Sequence, residues 1–365
     1  MHAGSGSTAS RYAKLFVFPV LMVVIMIATY IPAMRSPQPH EMPIGLVGIP
    51  AADQSTVADI INASGSRYAF RTFDDADSAL AAVQDQSVAA AMVFAPTEEE
   101  LHRGSDSRAV PAISEADRSH AAAVYIASAT GSTRTTAALL PIQNLALELG
   151  VPLVVRDLVP LKAEDSAGVS SMFFALAATL AGFISITTLG AAAPKLLAVK
   201  PLAVTLVLFG SVATLWIWIM ARVIIGAVRG PFLPLFVTGV LTVMAAGFAA
   251  AFFTKLIGPL SVLLSLFVFV ALGTTASGVS VPMDLAPGFY RLAHEVLTFP
   301  ATSQAILRIM YFDGAGVWSA WLVLGIWIAV MAGALAVMNR RKTPRETAAA
   351  VRVRADASAS PEPAS

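Results

Sequence analysis

The stretch "SGVSVPMDLAPGFYRLAHEVLTFPATSQAILRIMYFDGAG", residues 277–316, joins one charge-free run of sequence (256–283) to another (314–339). It is too apolar for a free loop and too charged for a membrane span. Pro282 and Pro287 end whatever precedes them, because proline lacks the backbone donor that a helix interior needs. "GFYRLAHEVL" (288–297) then fits a short helix with Phe289, Leu292, Ala293 and Val296 along one side. Arg291 and Glu295 stand four residues apart, within reach of each other on such a helix. Pro300 predicts a break, after which Thr302 or Ser303 can cap a second helix, "QAILRIMYF", that ends at Gly314. Helix, break, helix over 282–313 describes a hairpin that dips partway into a bilayer with its polar backbone buried in protein. It equally describes two helices lying flat at the interface. Both readings place the segment at the outer surface.

Working outward, the composition is that of a membrane protein. Of the 365 residues, 56% are hydrophobic and 13% charged, against roughly 25% charged in soluble domains. The mean hydropathy is +0.72. A net charge of +1 gives a nucleic-acid partner no electrostatic support. The absence of cysteine removes thiol catalysis and thiolate metal sites, and the five histidines show no pair at ligand spacing. No metal, cofactor or catalytic residue is expected. Adjacent His294 and Glu295 are the sole candidate acid–base pair, and neighbours on a helix do not face each other.

Charge-free runs at 15–34, 166–194, 201–221, 230–254, 256–283 and 314–339 predict six membrane-spanning helices. The boundary between the fourth and fifth needs a tight turn at Lys255 and Gly258–Pro259. The first run reads as an uncleaved anchor, because its apolar core is longer than that of a signal peptide. Lys and Arg gather near span ends on the cytoplasmic side. Arg11, Lys14, Lys195, Lys200, Lys255 and the "NRRKTPR" tail together put both termini inside. The tail, 340–365, reads as cytoplasmic and disordered from its Ala, Ser and Pro content.

Residues 36–165 form an insert holding 17 of the 23 acidic residues, and their patterning is α/β. Strands are expected at "MPIGLVGIP", "RYAFRTF", "VAAAMVF" and "VPLVVRDLVPL". Helices are expected from Asp53, over "DDADSALAAVQDQ", and over "STRTTAALLPIQNLALELG", the last with a kink at Pro141. Residues 96–119 read as a loop, with Glu98 to Glu100 solvated. The expected fold is thus an α-helical polytopic membrane protein of six spans with an inserted extracytoplasmic α/β domain. Its divisions are a cytoplasmic N-terminus (1–14), a first span (15–34), the insert (36–165), a five-helix membrane domain (166–339) and the tail.

The spans carry almost no ionisable residue, which argues against an ion-coupled carrier. No phosphate-binding GxxxxGK[ST] loop occurs. "PKLLAVKP" (194–201) reads either as a positive-inside loop or as a short docking helix for a partner's groove. Its candidate residues are Pro194, Lys195, Leu196, Leu197, Val199, Lys200 and Pro201.

An anchor, a large insert, five further spans, a short basic loop after the second span and a Gly/Pro-bearing amphipathic hairpin before the last one resemble the ABC-2-type transporter permeases. Residues 277–314 are most similar to the corresponding segment of the YhgE/Pip-like branch. The resemblance implies a permease in the cytoplasmic membrane that forms a homodimer or pseudo-dimer. Its energy would come from a separate ATP-binding subunit docked on 194–201. It implies export of a lipid, drug, peptide or polysaccharide, with an amphipathic or lipid-like substrate expected here. The hairpin itself reads as an external gate, for which Pro287, Gly288, Phe289, Arg291, His294, Glu295, Pro300 and Arg308 are the candidates. The alternative is a non-transporting envelope scaffold or surface receptor that presents the insert.

Overall fold

The structure, a computed structural model, describes residues 20–21, 23–32, 38–106 and 120–358. Helix α1 (Val23–Pro32) covers part of the first apolar run. The rest of that run and the N-terminal segment lie outside the described residues.

An α/β unit follows. Its sheet contains β1 (Met42–Val47), β2 (Tyr68–Phe73), β3 (Ala90–Phe94), β4 (Ser105–Asp106), β5 (Ala122–Ile126) and β6 (Leu153–Asp157), in the order β2-β1-β3-β5-β6-β4. β1 runs parallel to β2 and β3, and β5 parallel to β6. The two parallel groups meet at the antiparallel β3–β5 pair. Alternate residues of a strand point to opposite faces, so each face has its own core. Ile44, Leu46, Met92 and Val124 pack with Val57 of α2 (Gln54–Ser64) and with Ile142 and Leu145 of α5 (Ser132–Leu149). Val93, Tyr125 and Val154 pack with Leu80 and Val83 of α3 (Ala76–Gln84).

Three elements depart from the sequence expectation. β4 is a two-residue strand inside the stretch expected to be a loop. β5, "AAVYI", lies in the middle of the sheet, but its alanines carry little strand propensity. Glu98–Leu101 forms a one-turn helix, α4, where a loop is expected. Thr97 and Glu100 close a reciprocal capping box there, and three acidic residues occupy the first turn.

Four helices are long and apolar enough to cross a membrane. They are α6 (Ser170–Ala192), α7 (Val199–Trp218, extended by a π-helical turn to Ile224), α8 (Phe232–Ile257) and the first part of α13 (Val317–Ser358). α8 is central and touches α6, α7 and α13. Small residues let the helices approach closely: a Cβ on Gly182 of α6 would lie 2.5 Å from the Val243 carbonyl oxygen of α8.

The fifth charge-free run does not form a full span. α9 (Ser261–Ser265), a π-helical stretch (Leu266–Leu272) and α10 (Gly273–Thr275) make one rod. At about 1.5 Å per residue it rises roughly 22 Å, short of the roughly 30 Å hydrocarbon thickness. Residues 276–287 continue without regular helix except for one 3-10 turn at Met283–Leu285. The expected tight turn between the fourth and fifth runs is present as the 3-10 turn Gly258–Leu260. The tail expectation also changes, since α13 continues to Ser358. Ala, Arg and Glu are strong helix formers, and they continue the helix past Pro344, which removes one backbone hydrogen bond there.

Candidate functional site

Residues 282–316 fold as a helical hairpin, α11 (Gly288–Val296) and α12 (Thr298–Tyr311). The break is Leu297, whose extended backbone (φ −80°, ψ 150°) serves as the N-cap of α12. Pro300 therefore does not make the break. It sits in the first turn of α12, where the missing N–H has no intrahelical role. Thr302 and Ser303 lie inside α12 rather than capping it, and Thr302 Oγ1 donates to the Thr298 carbonyl (2.8 Å).

Four contacts set the position of the hairpin along the bundle. Trp327 Nε1 of α13 donates to the Val296 carbonyl (2.7 Å), and Thr242 of α8 shares a 2.7 Å hydroxyl hydrogen bond with Thr302. Trp327 lies about 15 Å along α13 from Val317, and Thr242 about 15 Å along α8 from Phe232, at 1.5 Å per residue. The tip of the hairpin thus reaches the middle of the bundle. At the other end of α12, Lys162 Nζ donates to the Met310 carbonyl (2.7 Å) and Tyr311 donates to Asp165 (2.8 Å). That is the level at which the α/β unit joins the helices. Burial pulls the Lys162 ammonium below its ordinary pKa, with Arg229 and Arg222 adding to the effect.

α12 is buried on nearly every side. α11 has two faces. Tyr290 and Ala293 pack inward, so Ala293 parts from the apolar stripe expected of it. Phe289, Leu292 and Val296 stay uncovered by protein. Arg291 and Glu295 do not pair, and neither appears in any ion pair among the described residues.

Between α11, α12 and the start of α13 is a cavity of about 560 Å³. α11 supplies His294 and Glu295. α12 supplies Pro300, Gln304, Leu307 and Arg308, which follow one face at helical spacing. α13 supplies Ser319, Ala320 and Val323. The α/β unit roofs it with Asp85, Gln86, Ser87, Thr130 and Arg134. The roof is tethered: Arg134 Nε donates to Asp284 Oδ2 (2.6 Å) across the largely buried side chains, and the His40 N–H donates to the Asp284 carbonyl (2.8 Å). Gln304 Nε2 donates to the Ser277 carbonyl (3.2 Å), and His294 Nδ1 to the Ala276 carbonyl (2.6 Å). Gly278, at φ +81°, holds a backbone conformation that L residues rarely adopt, and a Cβ there would crowd Gln304 at 3.0 Å and His294 at 3.2 Å.

Of the expected gate residues, His294, Glu295, Pro300 and Arg308 line this cavity. Pro287, Gly288, Phe289 and Arg291 do not; they lie at the beginning of α11, away from it. Arg134, Gln304 and Ser319 escape a reading of the sequence, because nothing in their spacing links the α/β unit to the hairpin.

The 194–201 segment is also smaller than expected. Pro194–Leu197 is a single 3-10 turn, and α7 already includes Val199, Lys200 and Pro201. Leu197 and Val199 pack inward on a cluster around Ile186, Leu202 and Leu206. Leu196 remains 38% exposed.

No protein-family model, no curated protein and no solved structure matches the chain.

Proposed function

We propose that the protein is the permease subunit of an ATP-driven exporter of the ABC-2 type, moving an amphipathic or lipid-like substrate across the cytoplasmic membrane. In this reading six segments enter the membrane: α1, α6, α7, α8, the short α9–α10 rod and α13. The α/β unit lies outside and both termini lie inside. The reading rests chiefly on the hairpin, whose tip meets the middle of α8 and α13 while both its ends face the α/β unit. A segment of that shape, beside four apolar helices, enters a bilayer and leaves on the same side. Non-helical backbone at membrane depth is tolerated where protein covers it or it lines a cavity, as 276–278 does here.

Charge distribution supports the orientation. Lys195, Lys200, Lys255, Arg340 and Arg341 cluster at one end of the bundle. The opposite end mixes signs: Arg229 pairs with Glu164, near Lys162 and Asp165. The excess of Lys and Arg marks the cytoplasmic side.

The ATP-binding subunit is a separate protein in this account, and the turn at Pro194–Leu197 is its dock. The tagged chain is purified from its native membrane and ATP-binding proteins in the eluate are identified by mass spectrometry. Co-purification of one is expected, and Leu196→Asp should reduce it about tenfold, the equivalent of losing one buried leucine at an interface, roughly 1.5–3 kcal/mol. Leu197 is unsuitable for this test because it packs inward. Absence of any ATP-binding partner would remove the exporter reading.

A further inference from the structure

The cavity holds two opposite charges that the fold leaves unpaired. Arg134 is neutralised by Asp284. Arg308 makes only a 3.2 Å hydrogen bond to the Ala315 carbonyl, and Gly316, at φ +72°, leaves its guanidinium the space a side chain would fill. Glu295 has no hydrogen-bond or ion-pair partner among the described residues, and Arg308 has no carboxylate partner. The two stand on different helices that enclose one space, Glu295 on α11 and Arg308 on α12, and they do not reach each other. A purely anionic ligand drawn to Arg308 would be repelled by Glu295 and by Asp85, which also lines the cavity. A purely cationic one would be repelled by Arg308. A ligand carrying both charges satisfies both.

The rest of the lining identifies what the ligand is attached to. Leu307, Ala320 and Val323 make the lower wall apolar. Where α11 and α13 flank the cavity, Leu292 and Val296 on one helix and Trp318 and Leu322 on the other are more than half exposed. Below, the helices close at the Trp327–Val296 hydrogen bond. A polar pocket therefore lies beside two uncovered apolar stripes, one on α11 and one on α13.

We infer that this cavity binds the head group of a zwitterionic amphiphile. Its anionic group sits on Arg308, its ammonium on Glu295, and its hydrocarbon chain leaves between α11 and α13 over Val296 and Leu322. The inference rests on the membrane placement proposed above but needs no ATP-binding subunit, so it stands or falls apart from the exporter reading.

The test is equilibrium binding of tritiated dihexanoyl phosphatidylethanolamine to the full chain in detergent micelles. Dihexanoyl phosphatidylglycerol and an alkyl trimethylammonium serve as anionic and cationic competitors. Saturable binding of the zwitterion is expected, with each competitor about tenfold weaker or worse. Arg308→Gln and Glu295→Gln should each weaken it about tenfold, the usual scale of one charge-assisted contact. Ser319→Trp, which fills the mouth and leaves both charges in place, should abolish it. Melting temperatures of the three variants should match the parent, because none of these side chains holds the fold together. Equal binding of the anionic lipid with no effect of Glu295→Gln would overturn the zwitterion in favour of a simple anion site. Binding that ignores all three variants, or no saturable binding at all, would overturn the site itself.

Discussion

Arg134 and Asp284 make the contact on which the site's geometry most depends, and they stand 150 residues apart in the chain. Their side chains are only 12% and 26% exposed, so the pair is shielded from much of the solvent that weakens surface ion pairs. It holds the α/β unit onto the loop that leads into the hairpin. Removing one partner leaves the other charge half-buried, so Asp284→Asn or Arg134→Gln should each cost about 1.5–3 kcal/mol. The double variant should lose less than the two singles together. Thermal melts of the purified chain in detergent measure this, and strictly additive losses would show that the pair does not act as a tether. No sequence pattern announces such a pair: Arg134 appears in a small-residue helix start and Asp284 between prolines. Glu295 and Arg308 were legible as candidates because charges are rare in that part of the chain. Their separation from each other, and the failure of Arg291 to pair, depend on the helix rotation that only packing sets.

At the scale of elements, amphipathic spacing revealed two short helices before the last long one, and both form. The position of the break was not legible. Proline reads as a helix breaker, yet in a first turn it costs nothing, and Leu297 takes the extended conformation instead. Pro300→Ala should therefore leave the hairpin intact, with a melting temperature close to the parent's. A large loss would return the break to Pro300. The long helices were legible from their charge-free runs, but the fifth run was not a full span, because hydropathy does not record where a buried rod stops. Close helix packing gives a second test. Gly182 faces the Val243 carbonyl with no space for a methyl group, so Gly182→Leu should destabilise the chain by about 1–3 kcal/mol through overpacking. Gly190, which has open space around its Cα, should tolerate alanine. Equal melting temperatures for Gly182→Leu and Gly190→Ala would contradict the α6–α8 contact.

For the whole molecule, composition alone separates an apolar helical part from an acidic α/β part, and both are present. The α/β unit was legible in most of its strands and helices, and β5 was missed because alanine says little about strand or helix. What no local pattern conveys is that the hairpin is shared: both its ends pack with the α/β unit, while its tip and much of α12 pack with the bundle. The export reading depends on that shared element facing the same side as the α/β unit, opposite the basic ends of the helices. The chain has no cysteine of its own, so single cysteines report their side directly. Leu147, 78% exposed on the α/β unit, Arg291 on α11 and Lys200 at the opposite end are replaced one at a time, with Leu292 and Ile306 as controls. Intact cells are then treated with a membrane-impermeant thiol reagent, before and after permeabilisation. The account predicts that Leu147→Cys and Arg291→Cys react in intact cells and Lys200→Cys only after permeabilisation. Leu292→Cys and Ile306→Cys should resist in both, one facing lipid and the other buried in protein. Reaction of Lys200→Cys in intact cells as fast as Leu147→Cys, or of Arg291→Cys only after permeabilisation, would contradict it.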